Sequence, residues 1–308
     1  MAIAPAGMVT LVVGAIMMVL NTFFVGLRVY TRMFITKSLR LNDAMLLLAL
    51  GAFGALYGLL VLGVQGGMGG SIADTNIEGL RTLLKVLFFL EIIYVVLTSA
   101  MKGSIALTFI RLSRSRVLTG LFWVSIAMDI AISLAFIIYL LVQCQPIDYA
   151  WRMLEAGAKG KCLPLVGQLY MGYALSIVTA ILDGLLMISP WFMMKGRALN
   201  PRLKMYIYGI FGLGILATIA NIIRLVALVK LKGSKDQLAD AAPVFNWSAI
   251  EVSIGIIIAG LIELGPLAAK YGLQGFESYA EIEDDQVPMK PINRATSSPD
   301  YEIGAGKM

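Results

Sequence analysis

The sequence contains no histidine, only two cysteines and few charged residues. Without histidine, the chain cannot form a Ser-His-Asp triad or a His-ligated zinc or iron site. Two cysteines are too few for a Cys-rich zinc or iron–sulfur site. Charged residues make up 14% and hydrophobic residues 59% of the 308 positions, whereas a soluble domain carries about 25% charged residues. The composition therefore excludes a soluble protein and leaves a polytopic membrane protein.

Long apolar runs dominate the chain, and each crossing of a bilayer needs roughly 20 mostly apolar residues. We find seven such segments: Met8–Leu27, Ala44–Val64, Leu83–Ile110, Val117–Val142, Leu165–Met194, Met205–Val229 and Trp247–Leu267. The runs are continuous, unlike the alternating ten-residue segments of a membrane barrel. The predicted fold is all-α: a polytopic bundle of seven transmembrane helices within residues 1–267. We expect it to lie in a lipid bilayer, in the plasma membrane or an endomembrane.

Positive charge is concentrated in the loops after the first, third and fifth spans. The basic residues there are Arg28, Arg32, Lys37, Arg40, Arg111, Arg114, Arg116, Lys195, Arg197, Arg202 and Lys204. Cytoplasmic loops carry such an excess, so we predict an N-terminus outside and a C-terminus in the cytoplasm. Since these residues are divided among short loops, we do not expect nucleic-acid binding. Residues 268–308 are acidic at Glu281–Asp285 and rich in Pro and Ser, so we predict a disordered cytoplasmic tail.

The two cysteines, Cys144 and Cys162, bracket one loop that this topology places outside. Because the extracellular side is oxidising, an even pair there predicts a disulfide. Two free thiols are the alternative.

Ionisable residues inside the predicted spans carry the most functional information, because each costs several kcal/mol in hydrocarbon and must find a partner. They are Glu91, Lys102, Asp129, Asp183, Arg224 and Glu251. Tyr94 joins them, because Glu91, Tyr94, Thr98 and Lys102 recur at helical spacing on one face of the third span. Glu263 lies near the inner end of the last span, and we expect it to reach the membrane interface.

The predicted topology divides these groups into two layers. We expect an outer cluster of Arg224, Glu251 and Glu91, an inner pair of Lys102 and Asp183, and Asp129 near the middle. Two interpretations stay open: the charges only lock helices together, or they also bind a ligand or perform acid–base chemistry.

Several short motifs, taken in order, resemble the fungal rhodopsin-like integral membrane proteins. The matching residues are Arg28-x-Tyr30-x-Arg32, Asp43, Lys102-x-Ser104, Arg111-Leu112, Cys144-Gln145-Pro146, Trp151, Cys162, Asp183, Pro190, Arg224 and Trp247 through Glu251 to Gly255-Ile256-Ile257. The resemblance covers roughly residues 20–270. It implies a seven-span fold, and the family includes surface-sensing receptor candidates and proteins encoded beside secondary-metabolite genes. The chain departs from the family pattern at Asn42, in the histidine-free second loop, and at Gly260-Leu261-Ile262.

Three functions compete. The first is a receptor-like membrane protein without retinal, since a retinal Schiff base needs a lysine in the seventh span and Trp247–Leu267 has none. It would bind a small lipophilic ligand and a cytoplasmic signalling partner. The second is a membrane-embedded cyclase or isomerase of secondary metabolism that uses buried carboxylates. The third is a transporter, which the lack of an evident repeat disfavours. We expect no metal and no cofactor, and whether the chain is an enzyme stays open.

Overall fold

The computed structural model describes residues 4–70, 76–113, 115–155, 157–194, 201–231 and 237–271. Long helices dominate it. Their bounds are α1 Pro5–Tyr30, α2 Leu41–Gln65, α3 Ile77–Leu112, α4 Arg116–Val142, α6 Leu165–Met194, α7 Pro201–Leu231 and α8 Gln237–Ile262. Short elements complete the fold: a π-helical turn Thr31–Ile35, the one-turn helix α5 Tyr149–Arg152, the strands β1 Cys144–Gln145 and β2 Lys161–Cys162, and the terminal helix α9 Gly265–Lys270.

All seven long helices have the length and hydropathy of membrane spans, with mean window hydropathies from 1.7 to 2.3. This confirms the predicted seven-helix membrane bundle. The acidic run Glu281–Asp285 lies outside the described residues.

The seventh span differs from its predicted bounds at both ends. Helix α8 begins at Gln237 rather than Trp247, because an apolar run marks the membrane thickness and not the full length of a helix. It ends at Ile262. In a continuous helix, the ring of Pro266 would collide with the carbonyl of Ile262. Pro266 instead lies in the first turn of α9, where a proline costs no hydrogen bond.

Helices α3 and α8 form the centre of the bundle. They are the most enclosed spans, with 44% and 56% of their apolar windows buried, against 17–28% for the other five. Their inner faces supply fully buried side chains such as Leu97 and Ile256. The remaining helices expose rows of large apolar residues on their outer faces. Those rows face lipid, so polar groups on α3 and α8 lie in the interior of the protein.

A covalent link closes the loop between α4 and α6. Cys144 and Cys162 form a disulfide and face each other across the two antiparallel strands. The predicted disulfide is therefore confirmed. Within the closed loop, the Trp151 ring packs against Phe88 of α3 with centroids 5.6 Å apart. We call this end of the bundle the disulfide end and the opposite one the Glu263 end.

Candidate functional site: charged groups and cavities inside the bundle

Lys102 and Asp183 form an ion pair in the bundle interior, as the sequence predicts. The Lys102 Nζ lies 3.0 Å from Asp183 Oδ1 and donates to the Thr179 carbonyl at 3.3 Å. Lys102 is only 4% exposed. This pair joins α3 to α6, and it satisfies an ammonium group that hydrocarbon alone would not tolerate.

A second ion pair links α7 to α8. Arg224 Nε lies 2.9 Å from Glu251 Oε2, and Asn221 donates to the other oxygen of Glu251 at 3.0 Å. The guanidinium carbon of Arg224 lies 5.4 Å from the centre of the Tyr94 ring, which adds a cation–π contact from α3. Three helices therefore meet at the Arg224–Glu251 pair, two members of the predicted outer cluster.

Glu91 does not join that cluster through any contact in the described residues, so this part of the prediction is wrong. Both Glu91 carboxylate oxygens accept from Gln168 Nε2 at 2.9 Å. Glu91 precedes Tyr94 by three residues, which rotates it by about 60° and moves it about 4.5 Å along α3. It therefore meets α6, while Tyr94 meets α7.

A cavity of about 260 Å³ lies beside Lys102, between α2, α3, α4 and α6. We call it the Lys102 cavity. Its wall is almost entirely apolar, with Val95, Ala100 and Leu182 among the buried residues that line it. The polar groups on the wall are Ser99, Lys102, Ser125, Asp129 and Ser133. A mostly apolar space with a few polar groups is typical of a small-molecule site.

Part of the cavity wall belongs to the lipid-facing surface. Leu48, Val96, Ile130 and Leu134 line the cavity and are 55%, 38%, 48% and 53% exposed. These residues come from α2, α3 and α4, which border one side of the bundle. The cavity therefore adjoins the hydrocarbon layer along this side.

Asp129, predicted near the middle of the bundle, lies on the wall of the Lys102 cavity. It is 5% exposed, and its Oδ1 has no hydrogen-bond partner among the residues that the structure describes. Ser99 and Ser133 also line the cavity and bond to each other at 2.8 Å. A carboxyl group on the wall of a mostly apolar cavity can accept a hydrogen bond from a bound molecule.

A smaller cavity of about 70 Å³ lies on the other side of Lys102. Lys102, Asp183 and Glu251 all line it. The two predicted layers therefore border one space, because α8 carries Glu251 deeper into the bundle than the predicted start of the seventh span implied. Lys102 borders both cavities.

A third polar cluster, which the sequence reasoning missed, lies at the Glu263 end. Glu263 lies just past the end of the seventh span and is only 4% exposed, so its side chain is enclosed by protein. Its Oε2 contacts Arg28 Nη2 at 2.9 Å and Arg32 Nε at 2.8 Å. Arg28 also pairs with Asp43 at 2.7 Å and donates to the Ala259 carbonyl. The cluster thus joins α1, the following π-helical turn, α2 and α8.

Neutral donors complete the Glu263 cluster. Asn42 and Thr108 donate to Glu263 Oε1 at 2.6 and 3.2 Å, and Arg111 donates to Asn42 Oδ1 at 3.0 Å. Burial alone would raise the pKa of Glu263, but the charges of Arg28 and Arg32 outweigh it and hold that pKa below its usual range. Glu263 is therefore an ionised anchor for four segments of the chain.

The signal for this cluster was present in the sequence. Arg28 and Arg32 are four residues apart and so lie on one helical face, yet the charge pattern assigned them to the loop that orients the chain. Asp43 follows three residues after Arg40, whose backbone N–H it caps at 3.0 Å. Neither spacing identifies Glu263 as the common partner, because the contact joins the two ends of the membrane domain.

Across the described ranges, no group of three or more Cys, Asp or Glu side chains is placed to hold a metal ion. A retinal Schiff base would need a lysine in the seventh span, and α8 contains none. Lys102 of α3 is paired with Asp183.

Seven membrane-spanning helices with ion pairs buried among them define an integral membrane protein. The chain matches the fungal rhodopsin domain over residues 27–270. This span includes the Glu263 cluster, both buried ion pairs and the disulfide. The protein therefore belongs to the fungal rhodopsin domain family. Comparisons with curated proteins and with solved structures give no match.

Proposed function

We propose that this protein binds a small lipophilic molecule in the Lys102 cavity and acts as a receptor-like membrane protein without retinal. The observation that carries the proposal is the cavity itself, about 260 Å³ of mostly apolar space in the membrane-spanning region. An apolar cavity of about 150 Å³ holds benzene, and drug-sized ligands occupy about 300–1,000 Å³. The Lys102 cavity lies between these two volumes, so a compact molecule of about ten carbons matches its size.

The position of the cavity supports entry from the bilayer. Leu48, Val96 and Leu134 contribute both to its wall and to the lipid-facing surface. A lipophilic ligand is concentrated in the hydrocarbon layer and needs no aqueous path to reach this side of the bundle.

A receptor also needs a segment that responds to the ligand. Leu182 and Leu186 of α6 line the cavity and flank Asp183, the partner of Lys102. The Glu263 cluster instead ties α1, α2, α3 and α8 together at one end. We therefore infer that ligand binding moves α6 relative to this clamped group of helices, which would present a different surface to a cytoplasmic signalling partner.

Equilibrium binding of tritiated menthol to the protein in lipid nanodiscs tests the binding step. We expect saturable binding to the wild type and to Leu141→Trp, and loss of binding in Leu134→Trp. Leu134 lines the cavity, whereas Leu141 lies two turns along the same lipid-facing side of α4 and is 45% exposed. The absence of saturable binding to the wild type, or equal binding in both variants, would contradict the proposal.

Distance measurements test the receptor-like step. Spin labels at Leu41→Cys and Phe192→Cys report on the ends of α2 and α6, where these residues are 65% and 55% exposed. The native cysteines are held in the disulfide and do not react. We expect menthol to shift the distance between the labels in the wild-type background and not with Leu134→Trp. Binding without a shift would reject the receptor-like role and retain the binding site.

The alternative is a membrane-embedded isomerase or cyclase of secondary metabolism, and one observation favours it. The carboxyl group of Asp129 lies on the cavity wall, and a carboxylic acid there can exchange a proton with a bound molecule. Limonene oxide is a suitable probe: a carboxylic acid protonates the epoxide oxygen as its C–O bond breaks, and the carboxylate then takes a proton from the neighbouring carbon, which gives an isomeric allylic alcohol. The enzymatic alternative predicts its conversion by the wild type and loss of that conversion in Asp129→Asn; recovery of unchanged epoxide would reject this activity.

A further inference from the structure

The Lys102 cavity carries information about the chemical class of its ligand, through the hydrogen-bonding state of each polar group on its wall. Four of the five polar side chains on the wall make hydrogen bonds or ion pairs within the protein. Ser99 and Ser133 bond to each other at 2.8 Å, and Ser125 donates to the Leu121 carbonyl at 2.9 Å. Lys102 is held by the Asp183 carboxylate and the Thr179 carbonyl.

Asp129 is the exception among the described residues that line the cavity. Its buried Oδ1 has no close hydrogen-bond partner there, and the Ser99 hydroxyl that interacts with the same carboxyl group is shared with Ser133. A buried acceptor without a donor is costly, so a ligand that supplies the donor gains more than one that leaves the oxygen unpaired. The rest of the wall is apolar, which suits a hydrocarbon body.

The ligand's donor could be a protonated amine or a hydroxyl group, and the nearby charge of Lys102 favours the hydroxyl. A protonated amine entering the cavity would lie beside the ammonium group of Lys102, which borders the same space. It would also have to leave water for the hydrocarbon layer, which is unfavourable for a charged group. A hydroxyl group supplies one donor and carries no charge.

We propose that the ligand is a neutral lipophilic alcohol of about ten carbons and that its hydroxyl donates to the Asp129 carboxyl group. This assignment rests on the proposed function, because it names the class of molecule that occupies the same cavity. Asp129 acts here as the specificity-determining residue. The apolar wall provides affinity for the hydrocarbon skeleton whether or not the ligand carries a hydroxyl group.

Four probes that share one skeleton separate these contributions: menthol, menthyl methyl ether, menthylamine and p-menthane. Each is titrated into nanodiscs that contain the full chain, by competition with tritiated menthol. Affinities are expressed as mole fractions in the lipid, so that partitioning cancels. We expect menthol to bind at least about tenfold more tightly than the other three. The ether is the sharpest control, because it keeps the oxygen but lacks the donor.

Substitution of Asp129 provides the second test. In Asp129→Leu, we expect menthol and p-menthane to bind within about twofold of each other, with p-menthane at its wild-type affinity or tighter. Asp129→Asn retains an acceptor oxygen, and we expect it to keep part of the preference for menthol. The wild-type comparison of the four probes stands even where a variant does not fold.

The outcomes separate the two proposals. If menthol and p-menthane bind the wild type equally well, the assignment to an alcohol is wrong and the binding site remains. A preference for menthol that persists unchanged in folded Asp129→Leu overturns the role of Asp129. If no probe binds, the proposed function fails, and the assignment of the ligand fails with it.

Discussion

Replacement of Glu263 by glutamine tests the cluster at the Glu263 end, and its effect on stability follows from the contacts. The substitution preserves size and removes the negative charge. Arg28 keeps the Asp43 carboxylate at 2.7 Å and the Ala259 carbonyl at 2.6 Å. Arg32 loses its 2.8 Å contact with a carboxylate. Removing one member of a buried ion pair costs about 3–5 kcal/mol. Because Asp43 still compensates Arg28, we expect a loss of about 3 kcal/mol, at the low end of that range.

The free energy of unfolding in mixed micelles, titrated with dodecyl sulfate, measures this loss. Glu78→Gln is the matched control, because Glu78 lies exposed in the first turn of α3. Exposed substitutions change stability by about 0.5 kcal/mol or less. If Glu263→Gln is as stable as Glu78→Gln, the buried cluster does not hold the helices together and our description of the Glu263 end is wrong.

Three further predictions concern pH, the disulfide and the central ion pair. The pKa of Glu263 is lower in the folded protein than in the unfolded chain, where it is about 4.3. The contribution of Glu263 to folding stability is therefore complete above about pH 4.3 and falls as the pH drops through the folded-state pKa. The wild type should therefore lose stability below about pH 4 relative to Glu263→Gln, and a constant difference would contradict this. Reduction of Cys144–Cys162, which are 18 residues apart, should lower the free energy of unfolding by about 3 kcal/mol; an unchanged value refutes it. In a double-mutant cycle of Lys102→Met and Asp183→Leu, we expect a coupling of about 1–3 kcal/mol, since Asp183 is 23% exposed; additive losses would show no coupling.

The fold was predictable from the sequence because lipid imposes a length and a composition on every span. The seven apolar segments therefore coincide with α1, α2, α3, α4, α6, α7 and α8. The ends were less predictable, since the clash of Pro266 with Ile262 and the extension of α8 to Gln237 depend on helix geometry outside the apolar run.

The interior pairs were predictable where one cation and one acid lay at matching depth. Lys102 and Asp183 met this condition, and so did Arg224 and Glu251. Glu91 did not, because depth alone leaves the direction of a side chain around α3 undetermined. The Glu263 cluster was missed for another reason: Arg28 and Arg32 satisfied the charge pattern of a loop, and only tertiary packing shows that they are buried.

The cavity could not be read from the sequence, because empty space arises from how four helices pack. The sequence supplied Asp129 as a buried acid, but its place on the cavity wall depends on how α3, α4 and α6 pack. This place on the cavity wall is what makes Asp129 a candidate ligand contact and not only a charge that holds helices together.

Photolabelling tests the central claim, occupancy of the Lys102 cavity, most directly. A ten-carbon alcohol that carries a diazirine is irradiated with the protein in nanodiscs, and adducts are mapped by mass spectrometry. We predict saturable labelling of the α3, α4 and α6 residues that line the cavity, such as Ala100, Ser133 and Leu182, with displacement by menthol and loss in Leu134→Trp. Labelling spread evenly over the lipid-facing residues of all seven spans, and insensitive to menthol, would contradict the account.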